Sequence, residues 1–359
     1  MHAQSASLQR AGGPAAKVEL GPPGAAAPII AEYGQRSGEF PDFLANHLPM
    51  VLEAMARLGA SSTRLAEYAR TYTLEHRVPF PPPGVGPIRA GNWQQHLGNR
   101  SREADYRAFF AGEVALLGAD AAIRHYMPVL ANGVAASATH GLMRLGYASL
   151  RADDVEVGIA LGYWAATYLA LPLPADNGRS GRREPLELVV AMRPIEAFRH
   201  VEPNSHLLWR WIEAMGSLPE FQALLGQVRA DPGLLEDMRR ASLALYAATM
   251  SFEALHALTG CHWLRLVSPH VDEPAMLAAR FWEVVMALYA KIGMPELPSA
   301  EQLDVWRHSP VPPDAEIAAA AVASDDEHDH SLVFSALEEF KVYGDPLYRV
   351  VAARRVGLI

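Results

Sequence analysis

The spacing of the apolar residues limits how this chain can fold more than any other feature of the sequence. From Ile29 onward, apolar side chains recur at intervals of three and four residues, as in the segment from Leu48 to Leu58, and strand-like alternation is scarce. This period places apolar side chains on one face of a helix, whereas a strand requires a period of two. The sequence therefore predicts an all-α protein, built as a large helical bundle that is either a single domain or two fused helical lobes.

Segments rich in proline and glycine divide the helical pattern at residues 78–87, 171–185, 293–298 and 310–313. Only residues 186–193, where Leu188, Val189 and Val190 are consecutive, fit a strand as well as a helix. The first 28 residues are rich in Ala, Gly, Pro and Ser and have no helical period. We therefore expect residues 1–28 to be a disordered tail and residues 29–359 to form the folded domain.

Composition and charge exclude several classes of function. The 31 Lys and Arg residues against 40 Asp and Glu give a net charge of -9, which opposes binding to nucleic acid or to an anionic membrane. No apolar run reaches the about 18 residues of a spanning helix, and residues 1–30 lack the pattern of a signal peptide, so we expect a cytoplasmic protein. The single cysteine, Cys261, excludes an intrachain disulfide and a cysteine-only metal site.

Several nucleotide-binding and catalytic motifs are missing from the sequence. There is no Gly-x-Gly-x-x-Gly between a strand and a helix, no P-loop and no Gly-x-Ser-x-Gly elbow. These absences disfavour a resident flavin or nicotinamide cofactor, an NTPase and a serine hydrolase. Any bound metal must use histidine, carboxylate or water as its ligands.

Three histidines fall on the apolar faces of predicted helices. Helical spacing places Val51 on the face of His47, and His140 follows a run of small side chains that lets a neighbouring helix approach. His256 lies in another apolar helix, which Gly260 is expected to end. A single histidine in such a position is more often a hydrogen-bonded core residue than a metal ligand. Several together favour a metal site, because neutral imidazole binds iron, zinc, copper and nickel.

The surroundings of a fourth histidine, His328, allow two interpretations. Ser324 and Glu327 have the spacing of a capping box, which explains why acidic residues cluster at the start of a helix. A capping box does not explain His328 and His330 at the mouth of an apolar helix. One of these two histidines can turn into the core and join the other three.

The sequence also contains two Glu-x-x-His pairs, which ferritin-like di-iron bundles combine with one glutamate from each of two further helices. The pairs are Glu253 with His256 and Glu327 with His330, and the candidates for the further glutamates are Glu53 and Glu113. In this alternative, His47 and His140 take no part in metal binding.

Taken in order, the motifs of the chain resemble those of the questin oxidase-like family, from about Glu39 to the C-terminus. The matching segments are Asn46-His47-Leu48-Pro49-Met50, Asn92-Trp93, Tyr106 with Phe109-Phe110 and Glu113, Gly133-Val134-Ala135, His140 to Tyr147, Tyr163-Trp164, His256-Ala257-Leu258-Thr259-Gly260 and Asp325-Asp326-Glu327-His328. The resemblance implies an oxidoreductase that uses O2 to oxidise or cleave anthraquinones and related aromatic polyketides. Members are Baeyer-Villiger-type oxidases or non-heme iron oxygenases, with NADPH as a candidate reductant.

Carried over residue by residue, the resemblance implies that iron is the cofactor and that its ligands are His47, His140, His256 and His328. Some members add a modified lysine shortly after the last histidine. In this chain the residue three positions after His328 is Ser331, and the only lysine of that helix is farther along. Water, His330 or a carboxylate is then left to complete the site.

Candidates for binding the small aromatic substrate are rings near the family motifs, because flat substrates stack on such side chains. They are Trp93, Tyr106, Phe109, Phe110, Trp164 and Tyr168. Glu113, Arg144 and Tyr147 are candidates for orienting the substrate or the second nitrogen of a ligand. A third alternative is a non-catalytic helical protein that binds a hydrophobic small molecule. The sequence leaves the substrate, the choice between monooxygenase and dioxygenase, and the oligomeric state open.

Overall fold

The computed structural model describes residues 24–173 and 183–359. The predicted tail, residues 1–28, falls mostly on residues 1–23, which lie outside the described residues. The first helix begins at Ala27, inside the range expected for the tail. The predicted break at residues 171–185 is described only at its two ends.

The described part of the chain contains seventeen α-helices and no sheet, so the all-α prediction is confirmed. The helices are α1 Ala27–Tyr33, α2 Leu48–Arg57, α3 Ser62–Glu75, α4 Glu103–Leu117, α5 Ala119–Leu130, α6 His140–Arg151, α7 Asp154–Ala166, α8 Pro185–Met192, α9 Leu208–Gly216, α10 Pro219–Gln222, α11 Leu234–Thr249, α12 Phe252–Val267, α13 Pro274–Lys291, α14 Ala300–Arg307, α15 Asp314–Ala323, α16 Glu327–Tyr343 and α17 Leu347–Arg355. None of these described helices combines the length and the apolar character that crossing a membrane requires.

The structure decides between two interpretations of one segment and contradicts one local prediction. The segment that fits strand and helix equally well is helical and forms α8, which starts with Pro185 in its first turn. Gly260 does not end its helix, because α12 continues to Val267. A side chain at Gly260 would overlap the ring of Phe281 on α13. The glycine therefore allows two helices to pack closely and is not a cap.

The buried apolar residues form one large cluster and one small cluster. The large cluster extends over most of the helices from α4 to α17, and the small one lies among α1, α2 and α3. Helix α2 contributes to both clusters, with Met50 in the large one and Val51 in the small one. The beginning of α2 therefore lies close to the junction of the two cores.

Four of the helices pack against one another around this junction. Helix α2 contacts α6 and α16, and α12 contacts the same two helices. His47 immediately precedes α2, His140 is the first residue of α6, and His328 is the second residue of α16. Their packing brings the N-terminal ends of the four helices, each with one histidine, to one place.

Candidate metal centre

The four histidines that the sequence singled out form a closed ring of neighbouring imidazoles. The distances between ring centroids are 4.5 Å from His47 to His140, 5.6 Å from His140 to His256, 5.8 Å from His256 to His328 and 5.0 Å from His328 to His47. Helical spacing predicts that each histidine points inward, but these distances depend on how α2, α6, α12 and α16 pack. The structure thus assembles a compact set of nitrogen donors.

Backbone carbonyl groups hold three of these rings by their Nδ1 atoms. The pairs are His47 with Ala45 at 3.0 Å, His140 with Ser137 at 2.5 Å and His256 with Phe252 at 2.8 Å. A carbonyl oxygen can only accept a hydrogen bond, so each Nδ1 must carry the proton of the neutral ring. The Nε2 atom of each ring therefore keeps a free lone pair, which is the state in which histidine binds metals.

A carboxylate holds the fourth ring. The Nδ1 atom of His328 lies 3.0 Å from an oxygen of Asp326, and its Nε2 atom is buried without a hydrogen-bond partner. The hydrogen bond from His328 lowers the pKa of Asp326 to about 2. Asp326 is also the residue that caps α16, so the capping box predicted for Ser324 and Glu327 is wrong. The carboxylate caps the helix and orients the histidine at the same time.

The closest contact in the ring of histidines is compatible with a shared cation. The Nε2 atoms of His47 and His140 are 2.8 Å apart, and both rings already use their proton at Nδ1. Two lone pairs at this distance repel each other unless a proton or a metal ion lies beside them. Burial lowers the pKa of His140 to about 4 and that of His47 well below its usual value, so a proton is disfavoured at neutral pH.

A metal ion fits the same contact. Two nitrogen donors 2.8 Å apart lie within reach of a single ion, because metal–nitrogen bonds to histidine are about 2.0–2.1 Å long. The buried, unpartnered Nε2 atom of His328 supplies a further donor. A set of neutral imidazoles is well suited to iron, zinc, copper or nickel and poorly suited to magnesium or calcium.

A cavity of about 320 Å³ opens onto the four histidines. Phe40, Phe43, Trp209 and Phe252 form its aromatic wall. The ring of Phe252 lies 4.6 Å from that of His256 and 4.9 Å from that of His328, between ring centroids. Its place one turn before His256 in α12 was a signal in the sequence, but nothing in the sequence connects Trp209 with this site.

Two oppositely charged residues also line the cavity. The ammonium group of Lys291 lies 3.8 Å from a carboxylate oxygen of Glu253. Glu327 lines the cavity as well, and one of its oxygens is 3.7 Å from Nδ1 of His47. Together with His47 and His328, Glu327 offers ligand atoms that lie within 4.8 Å of one another. A carboxylate is thus available to balance the charge of a bound cation.

The family model for questin oxidase-like proteins matches residues 44–334, a range that contains all four histidines. The chain belongs to the questin oxidase-like family. Membership suggests an oxidase that acts on polyketide-like substrates. A comparison with curated proteins gives no match.

In this questin oxidase-like protein, the position that the family pattern assigns to a lysine does not reach the cavity. Ser331 is buried on α16, near the hydroxyl of Tyr147. Lys341, the lysine farther along this helix, forms an exposed ion pair with Glu338. His330 packs against the ring of Tyr68 and not against the other histidines. Glu327, in contrast, lines the cavity and has a ligand atom within 4.8 Å of those of His47 and His328.

The aromatic residues expected to bind substrate do not line the histidine cavity. Trp93, Phe109 and Phe110 pack around Tyr126 where α4 meets α5, and the hydroxyl of Tyr106 donates to the backbone of Trp93. Trp164 donates to the carbonyl oxygen of Gly133 at 3.0 Å, and the ring of Tyr168 packs on the same glycine. Helical spacing predicts that a ring is buried, but it does not predict which space the ring faces.

The three residues expected to orient the substrate also lie outside this lining. Arg144 pairs with Glu156 through two contacts of 3.2 Å. Tyr147 is buried in the core, and burial raises the pKa of its hydroxyl. Glu113 accepts a hydrogen bond of 2.7 Å from Tyr126.

The residues of the di-iron alternative are not brought together. Glu53 is buried and pairs with Arg57 at 2.6 Å, while Glu113 and His330 have the separate partners given above. Of the four glutamates in that design, only Glu253 and Glu327 line the cavity. The described structure therefore favours the four-histidine set.

Proposed function

We propose that this protein is an oxidoreductase that uses O2 at a metal ion, iron, to oxidise or cleave an aromatic, polyketide-like substrate. The metal ligands in this proposal are His47, His140, His256 and His328. The observation that carries it is the 2.8 Å approach of two Nε2 lone pairs, on rings whose protons are already given to carbonyl oxygens. Membership in a family of oxidases supports the same conclusion.

The residues of the chain prepare the site before any metal binds. Three backbone carbonyl groups and Asp326 hold the imidazoles with their Nε2 atoms free, so little reorganisation is needed. When bound, iron with imidazole ligands supplies an open coordination position for O2 and the capacity for electron transfer. Glu327 offsets the positive charge in a buried environment, where an uncompensated charge is costly.

The aromatic wall positions a flat substrate beside the histidines. A ring packed on Phe252 lies next to His256 and His328, because Phe252 contacts both. Phe40 and Trp209 supply further apolar surface, and a volume of about 320 Å³ accommodates one small aromatic molecule. Lys291 and Glu253 offer a hydrogen-bond donor and an acceptor for phenolic hydroxyl groups.

Metal analysis tests the site directly. Protein purified without a histidine tag is reconstituted with Fe(II) under nitrogen, and its metal content is measured by mass spectrometry. We expect about one iron per chain, its loss in His140→Ala and His328→Ala, and full content in His200→Ala, whose ring is exposed beside Glu196. Metal-free wild-type protein with an intact helical spectrum, or a His140→Ala variant that retains its iron, would contradict the proposal.

Oxygen uptake separates the proposed oxidase from the two alternatives. With a hydroxylated anthraquinone as the probe, iron-loaded protein is expected to consume O2, and assays with and without NADPH show whether it needs this reductant. Incorporation of label from ¹⁸O2 distinguishes a monooxygenase from a dioxygenase. The di-iron alternative predicts two metals, with sensitivity to Glu253→Ala and none to His47→Ala. A simple binding protein would quench or shift the anthraquinone spectrum without any O2 uptake.

A further inference from the structure

Glu39 is connected through its backbone to the carbonyl group that orients His47. Residues 38–40 and 44–46 pair antiparallel, with Glu39 opposite Ala45 and backbone hydrogen bonds of 2.7 and 2.8 Å on either side. The carbonyl oxygen of Ala45 is the acceptor for Nδ1 of His47. This isolated bridge holds the backbone of Glu39 opposite the residue whose carbonyl oxygen orients His47.

The side chain of Glu39 is connected to the carbonyl group that orients His140. The hydroxyl of Ser137 donates to Oε1 of Glu39 at 2.7 Å, and the carbonyl oxygen of Ser137 accepts from Nδ1 of His140 at 2.5 Å. Arg100 holds the same carboxylate through two contacts, of 2.6 and 3.2 Å. One buried residue thus supports both of the imidazoles whose Nε2 atoms are 2.8 Å apart.

The backbone from Ser137 to Thr139, just before His140, has an unusual conformation. Ser137, Ala138 and Thr139 have φ values of 45°, 54° and 72°, although none of them is glycine. Residues with a Cβ atom avoid this left-handed region, and a run of three persists only where the surroundings hold it in place. Within this described turn, Ala138 has no polar side chain and the hydroxyl of Thr139 has no partner, which leaves the Ser137 hydroxyl as the side-chain tether.

We infer that Glu39, acting through Ser137 and Ala45, is a positioning residue that sets the spacing and the tautomers of His47 and His140. It does not contact the metal in this scheme. The inference rests on the proposed function, because it assigns Glu39 a role in metal binding at the same site. Arg100 extends the network to the cavity wall, since its guanidinium group lies 4.4 Å from the ring of Trp209.

Two variants with matched controls test this role by metal affinity. Glu39→Gln removes the charge that Arg100 holds, and Ser137→Gly removes the tether in a residue that adopts positive φ without steric cost. Chelator competition with Fe(II) is expected to show about 10- to 100-fold weaker binding in both, the usual cost of losing a group that orients a ligand. Glu283→Gln loses another buried carboxylate paired with an arginine, and we expect its affinity to match the wild type.

The second control separates the tether from backbone strain. Ala152 has a φ of 53° at the other end of α6 and lies on the surface, so Ala152→Gly relieves similar strain away from the site. We expect Ala152→Gly to keep wild-type metal affinity, whereas Ser137→Gly loses affinity while retaining its helical spectrum. Equal losses in both glycine variants would mean that flexibility of α6, and not the tether, controls the metal.

A spectroscopic signature decides the inference independently of metal binding. In metal-free protein, where a small movement of the two rings relieves the repulsion between their Nε2 lone pairs, ¹⁵N imidazole spectra are expected to show His47 and His140 with the proton on Nδ1, and Glu39→Gln is expected to give a mixture of tautomers. Unchanged spectra together with metal affinity within about twofold of the wild type would overturn the inference, because loss of an orienting group costs about 10-fold or more. If the wild type binds no metal, the proposed function fails and the tautomers alone decide the role of Glu39.

Discussion

Replacing Arg144 distinguishes a structural role from the substrate-orienting role that the sequence suggested for it. Arg144 lies one turn after His140 on α6 and pairs with Glu156 on α7. The two side chains are 1% and 5% exposed, and the guanidinium group also donates to the carbonyl oxygen of Gly34 at 2.8 Å. The substitution Arg144→Met preserves much of the volume but leaves the Glu156 carboxylate buried without its partner.

The burial of this pair determines the size of the effect. Removing one member of a buried ion pair costs about 3–5 kcal/mol, because the remaining charge cannot be solvated. This is a large part of the about 5–15 kcal/mol by which a typical protein is stable. Replacing both members with apolar residues, as in Arg144→Met with Glu156→Leu, is expected to recover most of the loss, because no buried charge then remains.

Urea unfolding followed by circular dichroism measures these free energies, and iron content is determined on the folded variants. We expect Arg144→Met to lose stability and to keep its iron. Arg193→Met, which breaks an exposed pair with Glu296, is the control and should change stability little. The reasoning is refuted if Arg144→Met unfolds at the wild-type urea concentration, retains iron and yet no longer oxidises the anthraquinone probe.

Three further substitutions test the packing, the acid stability and the cavity. Gly260→Ala is expected to destabilise the fold by about 1–3 kcal/mol in urea unfolding, because the added methyl group overlaps the ring of Phe281; wild-type stability would show that α12 and α13 separate easily. Burial raises the pKa of Glu339, but His262 and Arg265, which both hydrogen-bond to its carboxylate, together more than offset this and hold the pKa below its usual value. A carboxylate whose pKa is lower in the folded than in the unfolded protein stabilises the fold at neutral pH, and this stabilisation is lost as the pH falls below about 4. Glu339→Gln should therefore flatten the dependence of stability on pH in this range, and an unchanged slope would contradict the assignment. Phe252→Ala should weaken binding of the anthraquinone probe in a fluorescence titration, while iron content stays near that of the wild type. Undiminished affinity would show that the probe does not bind against Phe252.

Local sequence patterns were sufficient for the fold class and for the choice of histidines. Apolar residues at helical intervals predict helices because the period follows from local backbone geometry, and the structure confirms this throughout its described residues. The same period shows that His47, His140 and His256 face inward. The order of the motifs also identified the family.

Other features depend on which helices become neighbours. No local feature of the sequence distinguishes a core tryptophan such as Trp164 from a cavity-lining one such as Trp209, because both occur on apolar helical faces. The capping of α16 by Asp326 was missed because Ser324 offers a competing pattern that is equally good in sequence. Gly260 was taken for a helix end because its function, room for Phe281, depends on a different helix.

Helical periodicity in the sequence predicted that this protein is helical and that His47, His140 and His256 face inward, and the family resemblance added His328 to the expected ligand set. The packing of the helices brings the four rings together, lets carbonyl groups hold Nδ1 of three of them, and places Glu39 opposite Ala45 and beside Ser137. The difference arises because helix periodicity is a property of consecutive residues. The distance between His47 and His140, which are 93 positions apart, is set by the packing of α2 against α6 and by the left-handed turn before α6.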